Sequence, residues 1–238
     1  MRILAFDTAT RSTAVALLDT DGAPALELRD DPPPGSRPRH TALLMALTVR
    51  ALDEHGIDWD GIGRIGVGIG PGTFTGLRIG VAAARALSAA RGIPLTGVST
   101  LRSLASAAER AAGGSSVLAV IDARRGEAFA AGWTAVGAGS GAAPSLAACA
   151  LPPGELAGRL AGLGGDWLAV GDGAVAFRET LERAGARVPA DDDPLHLVSA
   201  GEHCRLAARA TPGRIEEVLP DYLRAPDARP AAAAATAG

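Results

Sequence analysis

Aromatic side chains are scarce, at 3% of the 238 residues, so the core must be assembled from aliphatic side chains and close backbone packing. Only two cysteines occur, Cys149 and Cys204, with no CxxC spacing. That argues against a disulfide framework or a cysteine-rich metal site and leaves two spectator thiols. No stretch supplies the roughly 20 mostly apolar residues that a membrane-spanning helix needs, so no membrane association is expected. The opening MRILAFDTAT lacks the long apolar region and cleavage pattern of a secretory signal, and a cytoplasmic location is the expectation. No basic tract stands out. The formal charge of -3 offers little overall attraction to nucleic acid or anionic lipid, leaving room only for a local patch.

What is present is a globular composition, 47% hydrophobic and rich in alanine and glycine, long enough for one large domain or two lobes. The most legible stretch runs from Gly66 to Ala90. Ile65, Val67 and Ile69 alternate with Gly66, Gly68 and Gly70, which predicts a strand with one branched face and one bare face that something approaches closely. Pro71 and Gly72 punctuate it, and Thr73 or Thr75 can cap a helix continuing to about Ala90. Gly76 and Gly80 leave a groove on that helix which Ala83, Ala84 and Leu87 extend. Each glycine costs about 1 kcal/mol of helix propensity relative to alanine, so a contacting helix or backbone is the expected compensation.

The chain before it reads as three strands, Arg2 to Asp7, Ser12 to Asp19 and Ala25 to Arg29, with a hairpin turn at Asp21-Gly22. The proline-rich DDPPPGSRPRH must be an exposed connection. A helix follows from His40 or Thr41 to His55. Leu44, Leu47 and Ala51 form one apolar stripe and Met45, Val49 and Leu52 another, so the helix is either sandwiched within its own domain or shared with a partner subunit. After the central strand and helix come a strand at Ile93 to Val98 and a helix to about Ala111. These elements predict an α/β lobe over residues 1–112 with a mixed sheet, completed by a late helix around 195–210 with Leu197, His203 or Cys204, and Ala207 facing inward. A smaller α/β lobe is expected over 113–194. Its VLAVIDA strand and the return after Arg124-Arg125-Gly126 loosely repeat the start of the chain, which suggests duplicated lobes. Val136 to Ala148 reads as a loose loop, and Ala174 to Ala184 as a helix. The tail 225–238 has little reason to fold and is expected to be disordered.

Tests for chemistry return mostly absences. GPGTFTGLR has no Lys-Ser/Thr pair after the required glycine spacing, and a dinucleotide GxGxxG in strand-helix context is missing. Backbone amides at the start of the helix can hold an anion, but a structural turn is the favoured reading. Asp7 and Asp122 each end an apolar strand at a turn and are the better nucleotide-site candidates, able to orient magnesium or water. A structural aspartate is favoured at both, because neither turn has glycine at its third position. His40, His55, His196 and His203 form no zinc-spaced set, and GxSxG is absent. No catalytic residue and no metal site emerge.

The segments RILAFDTAT, HTALLMALTVRAL, GIGPGTFTGLRIGVAAARAL, GVSTLRSLA, AVIDARRGEAF, VGDGA and LPDYLR, in this order, resemble the TsaB family, bacterial partners in tRNA threonylcarbamoyladenosine synthesis. The resemblance implies a two-lobe fold of the actin-like ATPase, sugar-kinase and RNase H-like class. It makes Asp7, Asp122, Gly171 and Gly173 vestigial positions of a nucleotide site. The metal-binding HxxxH of the catalytic relative, TsaD, is missing here. The resemblance thus implies a noncatalytic scaffold or activator that binds no cofactor alone, pairs with a TsaD-type subunit, and works with a TsaE-type nucleotide-binding subunit. ATP and magnesium belong to those partners, and tRNA is engaged mainly through the complex. The alternative is an active transferase or kinase of the same superfamily, or a peptidase. Family members pair through their first two helices and form a homodimer through much the same surface when alone. Carried onto this chain, the interface candidates are His40, Leu44, Leu47, Ala51, Gly76, Arg78, Gly80, Ala83 and Leu87.

Overall fold

Five of the six residues of Arg2–Asp7 (β1) are fully buried, which requires a sheet covered on both faces. The computed structural model describes residues 1–21, 25–33, 35–134, 138 and 141–224. The expected turn at Asp21-Gly22 and the tail 225–238 therefore lie wholly or partly outside the described residues. β1 is flanked by Thr13–Asp19 (β2) and Leu26–Asp30 (β3) in an antiparallel meander. The helix His40–His55 (α1) leads to Arg64–Gly70 (β4), the helix Phe74–Arg91 (α2) and Leu95–Ser99 (β5). β4 joins β1 in parallel and β5 joins β4, so the first sheet has the order β3-β2-β1-β4-β5.

The helix Thr100–Ala112 (α3) leads into a second sheet. Its strands are Ser116–Arg124 (β6), Glu127–Trp133 (β7), Leu146–Leu151 (β8), Trp167–Val170 (β9) and Ala186–Arg187 (β10), in the order β10-β9-β6-β7-β8. Read from the meander edge, both sheets run third, second, first, fourth, fifth, with an antiparallel meander followed by parallel strands. The faint internal repeat in the sequence is thus a repeat of topology. The helix Pro153–Leu163 (α4) precedes β9, and Asp172–Ala176 (α5) and Arg178–Arg183 (α6) follow it.

Several expectations need correction. Residues 146–148 are not loop but the start of β8, whose small, weakly patterned residues carry little strand signal. The single helix expected over 174–184 is two short ones interrupted at Phe177. The late helix is shorter than expected, a 3-10 turn at Pro194–His196 followed by Ala200–Arg209 (α7), and Leu197 between them is exposed.

Two helices change lobes. α7 lies against β1, β2 and β4 of the first sheet, where Ala200, Cys204 and Ala207 pack with Ile3, Ala5, Ala14 and Ala16. α3, expected within the first lobe, sends Leu101, Leu104, Ala105 and Ala108 into the core of the second sheet beside Val117, Ala119 and Phe129. Its other face carries Ser103 and Ser106 and meets α7. The opposite face of the first sheet is covered by α1 and α2, whose Leu44, Ala51, Leu52, Val81 and Ala84 bury Leu4, Phe6, Val15 and Leu17. Each of the leucine, valine and phenylalanine side chains contributes about 1.5–3 kcal/mol on burial.

Candidate functional site

The turn after β1 is held by its own chain. Asp7 Oδ1 accepts from Ala9 N at 2.8 Å, and Oδ2 accepts from Thr100 Oγ1 at 3.2 Å. His203 Nε2, on α7, lies 3.1 Å from the same Oδ2, and both side chains are fully buried. Burial disfavours both charges, but the contact with His203 outweighs it for Asp7, whose carboxyl sits below its ordinary value. The histidine faces the same burial penalty and is held above its ordinary value by Asp7. This pair explains the bare face of β4. A side chain at Gly68 would collide with Asp7 Oδ2, and one at Gly66 would meet Ala207 Cβ at 3.1 Å. The close-approaching element is α7.

Ser103 Oγ lies 2.9 Å from His203 Nδ1, so Ser103, His203 and Asp7 form a Ser-His-Asp contact chain. It cannot work as a nucleophilic triad. All three side chains are buried, and Nδ1 also faces the carbonyl of Ser199 at 2.9 Å, which can only accept. A ring nitrogen that donates to the Ser199 carbonyl has no lone pair for a serine proton.

The second turn is similarly occupied. Asp122 Oδ1 accepts from Arg124 N at 2.8 Å and Oδ2 pairs with Arg124 Nη1 at 2.9 Å. Asp122 N donates to Asp172 Oδ1 at 3.0 Å. Burial, assisted by the Asp122 charge, pushes the Asp172 carboxyl above its ordinary value. Gly171, at φ 106°, is pressed against Val120 O so closely that a Cβ would collide with it, and Gly173 is pressed against the Ile121–Asp122 peptide. His196 Nδ1 faces Gly171. Asp7, Asp122, Gly171 and Gly173 are therefore all engaged in the chain's own packing. Among the described residues no group of three or more histidine, cysteine or carboxylate side chains is arranged to hold a metal ion.

Between the lobes lies a cleft of about 230 Å³, lined by Gly72, Thr73 and Phe74 at the start of α2, by Asp122 to Arg125 and Phe129, and by the closing segment Asp221 to Arg224. That segment straps the lobes together. Asp221 N donates to Ile69 O at 2.7 Å, the rings of Tyr222 and Phe74 pack at 5.0 Å, and Arg224 pairs with Glu127 at 2.7 Å.

The interface candidates separate into two groups. His40, Leu44 and Ala51 are buried under α1, with His40 Nδ1 2.9 Å from Thr13 Oγ1. Gly76 and Gly80 are also turned inward. Thr8 Oγ1 donates to Gly76 O at 2.7 Å, a Cβ on Gly76 would collide with Thr8 O, and one on Gly80 would stand 2.5 Å from Thr8 Oγ1. The groove expected to receive a partner helix is filled by the chain's own β1–β2 turn, because the glycines face the sheet. Leu47, Ala83 and Leu87 are half-buried, and Arg78 is exposed, stacked 3.8 Å from the Phe74 ring and donating to Tyr222 Oη at 3.1 Å. The outward face that sequence reasoning left off is Ala42, Met45, Ala46 and Val49 on α1 with Ala82 and Ala86 on α2. Met45 and Val49 are 40% and 47% exposed. Their stripe was visible in the periodicity. The contacts of His203 and Thr100 with Asp7, and of Asp172 with Asp122, were not legible, since nothing in their local sequence points to those aspartates.

Residues 32–228 match the family model described as TsaD: tRNA N6-adenosine threonylcarbamoyltransferase. The tRNA threonylcarbamoyladenosine biosynthesis protein TsaB of Escherichia coli is 33% identical over 94% of this chain and 95% of its own length. A solved Pseudomonas aeruginosa protein, described as having similarity to peptidase YEAZ, superposes with a TM-score of 0.76 at 31% identity, covering 94% of this chain and 99% of that one. The ROK hexokinase of Thermus thermophilus, at 15% identity and a TM-score of 0.52 over 87% of this chain and 99% of its own, shares the fold. Among the described residues no helix is long and apolar enough to cross a membrane.

Proposed function

Because the chain belongs to the TsaB family of tRNA threonylcarbamoyladenosine biosynthesis proteins, within the wider TsaD family, we propose that it is a noncatalytic subunit that pairs with a TsaD-type enzyme through α1 and α2. The observation that carries this reading is the apolar outer face of those helices. Ala42, Met45, Ala46, Val49, Ala82 and Ala86 lie outward on elements whose inner faces are already packed on the sheet. Apolar residues gathered on the outer faces of two helices are the kind of patch that marks a protein–protein contact, and a flexible methionine among them suits a packed interface. The same face forms a homodimer when the partner is absent. Transfer of the threonylcarbamoyl group to N6 of adenosine 37, with ATP and magnesium, is then the work of the TsaD-type and TsaE-type subunits in the cytoplasm.

The engagement of both aspartate turns supports the noncatalytic part. A carboxylate that orients metal-bound phosphate must face a solvent-accessible site; Asp7 is buried, with both oxygens engaged by the chain's own Ala9, Thr100 and His203. The peptidase reading suggested by the Pseudomonas neighbour's description has one observation in its favour, the Ser103-His203-Asp7 contact, and burial and the Ser199 carbonyl facing Nδ1 count against it.

Light scattering of the purified chain mixed with its TsaD-type partner tests the pairing: a complex mass is expected, and persistent separate species would sink it. Omitting and restoring this chain in a reconstituted tRNA modification assay tests the activator role.

A further inference from the structure

The layer that covers the first sheet on the side of α1 and α2 has a third member. α1 lies over β2 and β3, and α2 lies over β4. After α7 the chain returns along the edge of β5, where Gly213 N donates to Leu95 O at 3.2 Å. The 3-10 turn Ile215–Glu217 then lies against α2, and Ile215 and Val218 join the core that holds Leu44 and Val81. Residues 213–224 therefore flank α2 on the side away from α1. Seven large apolar side chains are exposed among the described residues, and four of them lie in this layer: Met45 and Val49 on α1, Leu219 and Tyr222 on the closing segment. α2 is thus the middle of an apolar surface and not its border.

Arg78 stands where the closing segment meets α2. It lies one turn before Ala82, in the outward row Arg78, Ala82, Ala86. Its guanidinium carbon sits 3.8 Å from the Phe74 ring, and Nε donates to Tyr222 Oη at 3.1 Å. A long, rotamer-rich side chain is thereby fixed before any partner arrives, which removes part of the ordering cost of binding. Arg39, Arg50 and Arg183 are exposed and each pairs with a carboxylate. Arg78 is exposed and meets no carboxylate among the described residues. With Nε taken by Tyr222, the Nη1–Nη2 edge is the one that can pair bidentately with a carboxylate. Arginine and tyrosine, rigid and set inside an apolar surface, are the residues that dominate protein–protein affinity.

We propose that the partner surface extends from α1 and α2 onto the closing segment, and that Arg78, held by Tyr222 and Phe74, receives a carboxylate of the TsaD-type subunit. The identity of that partner rests on the pairing reading above. Tyr222 acts twice, as apolar contact area and as the group that positions Arg78.

Isothermal titration of the full chain into the TsaD-type subunit measures the affinity directly. Arg78→Met keeps the length and the apolar stem but loses the fork, and should weaken binding about thirtyfold or more, the scale of a hot-spot residue. Tyr222→Phe keeps the ring and removes only the hydroxyl that holds Arg78, so a loss of about threefold to tenfold is expected. Arg183→Met, on α6 outside this layer, should stay within about twofold. Raising sodium chloride from about 0.05 M to about 0.5 M should weaken the unaltered complex and affect the Arg78→Met complex less. Melting curves matching the unaltered chain establish that each variant is folded. An Arg78→Met loss within about twofold, no loss in Tyr222→Phe, or a salt dependence that Arg78→Met leaves unchanged would each overturn the proposal. Absence of any complex with the unaltered chain overturns the pairing reading and this one with it. A complex abolished by Val49→Glu and kept by Arg78→Met leaves the pairing reading standing and removes this one.

Discussion

Asp7 Oδ2 and His203 Nε2 meet at 3.1 Å in the buried layer between the first sheet and α7, joining the first strand of the chain to its last helix. Gly68 has no side chain to occupy that space, and Thr100 Oγ1 donates to the same carboxylate oxygen. Removing one member of a buried, hydrogen-bonded ion pair leaves the other charge uncompensated, at a cost of about 3–5 kcal/mol. Asp7→Asn should therefore lower the unfolding free energy of the isolated chain, measured by urea denaturation, by that amount. A loss below about 1 kcal/mol would mean that the pair is not charged in the fold.

The pair also sets a pH dependence. His203 is held above the ordinary histidine value of 6.5, so its contribution is fully present below pH 6.5 and is lost as pH rises through the raised value. Asp7 is held below the ordinary 3.8, so its contribution is present above pH 3.8 and is lost as pH falls through the depressed value. The stability difference between the unaltered chain and His203→Gln should be largest between these two limits and shrink on the alkaline side. A difference that stays flat from about pH 5 to about pH 9 would show a neutral histidine.

Inner and outer faces of α1 and α2 should respond differently to substitution. Gly76→Ala gains about 1 kcal/mol of helix propensity, yet its Cβ would collide with Thr8 O, a backbone atom, so net destabilisation is expected in thermal melts. Val49→Glu, on the outer face, should leave stability within about 0.5 kcal/mol and abolish the complex with the TsaD-type subunit in light scattering. Normal pairing by the folded Val49→Glu chain would remove this face from the interface.

Calorimetric titration of the isolated chain with ATP and magnesium should give no saturable heat. Asp7 is buried and engaged, and Asp122 is closed onto Arg124. Micromolar binding would restore the active-enzyme alternative for these turns.

Much of the first lobe is legible in the sequence because its signals are local. The alternation of Ile65, Val67 and Ile69 with glycines marks β4, and the apolar period marks α1, whose bounds at His40 and His55 agree with expectation. The second lobe is less legible. β10 has only two residues, and β8 emerges from a segment rich in alanine, glycine and serine, so neither carries a period long enough to read.

Composition, strand and helix periods, and the ordered series of motifs were enough to place the chain in its family and fold class, because each depends on residues close together in sequence. Which side of a helix faces the sheet is decided by packing. The glycines of α2 open a groove whoever fills it, and only the folded chain shows Thr8 lying there. The exchange of α3 and α7 between lobes, the meeting of Asp7 with His203, and the hydrogen bond of Arg78 with Tyr222 are likewise contacts between distant segments. No local propensity encodes them, because their energy exists only once both sheets have formed and brought those segments together.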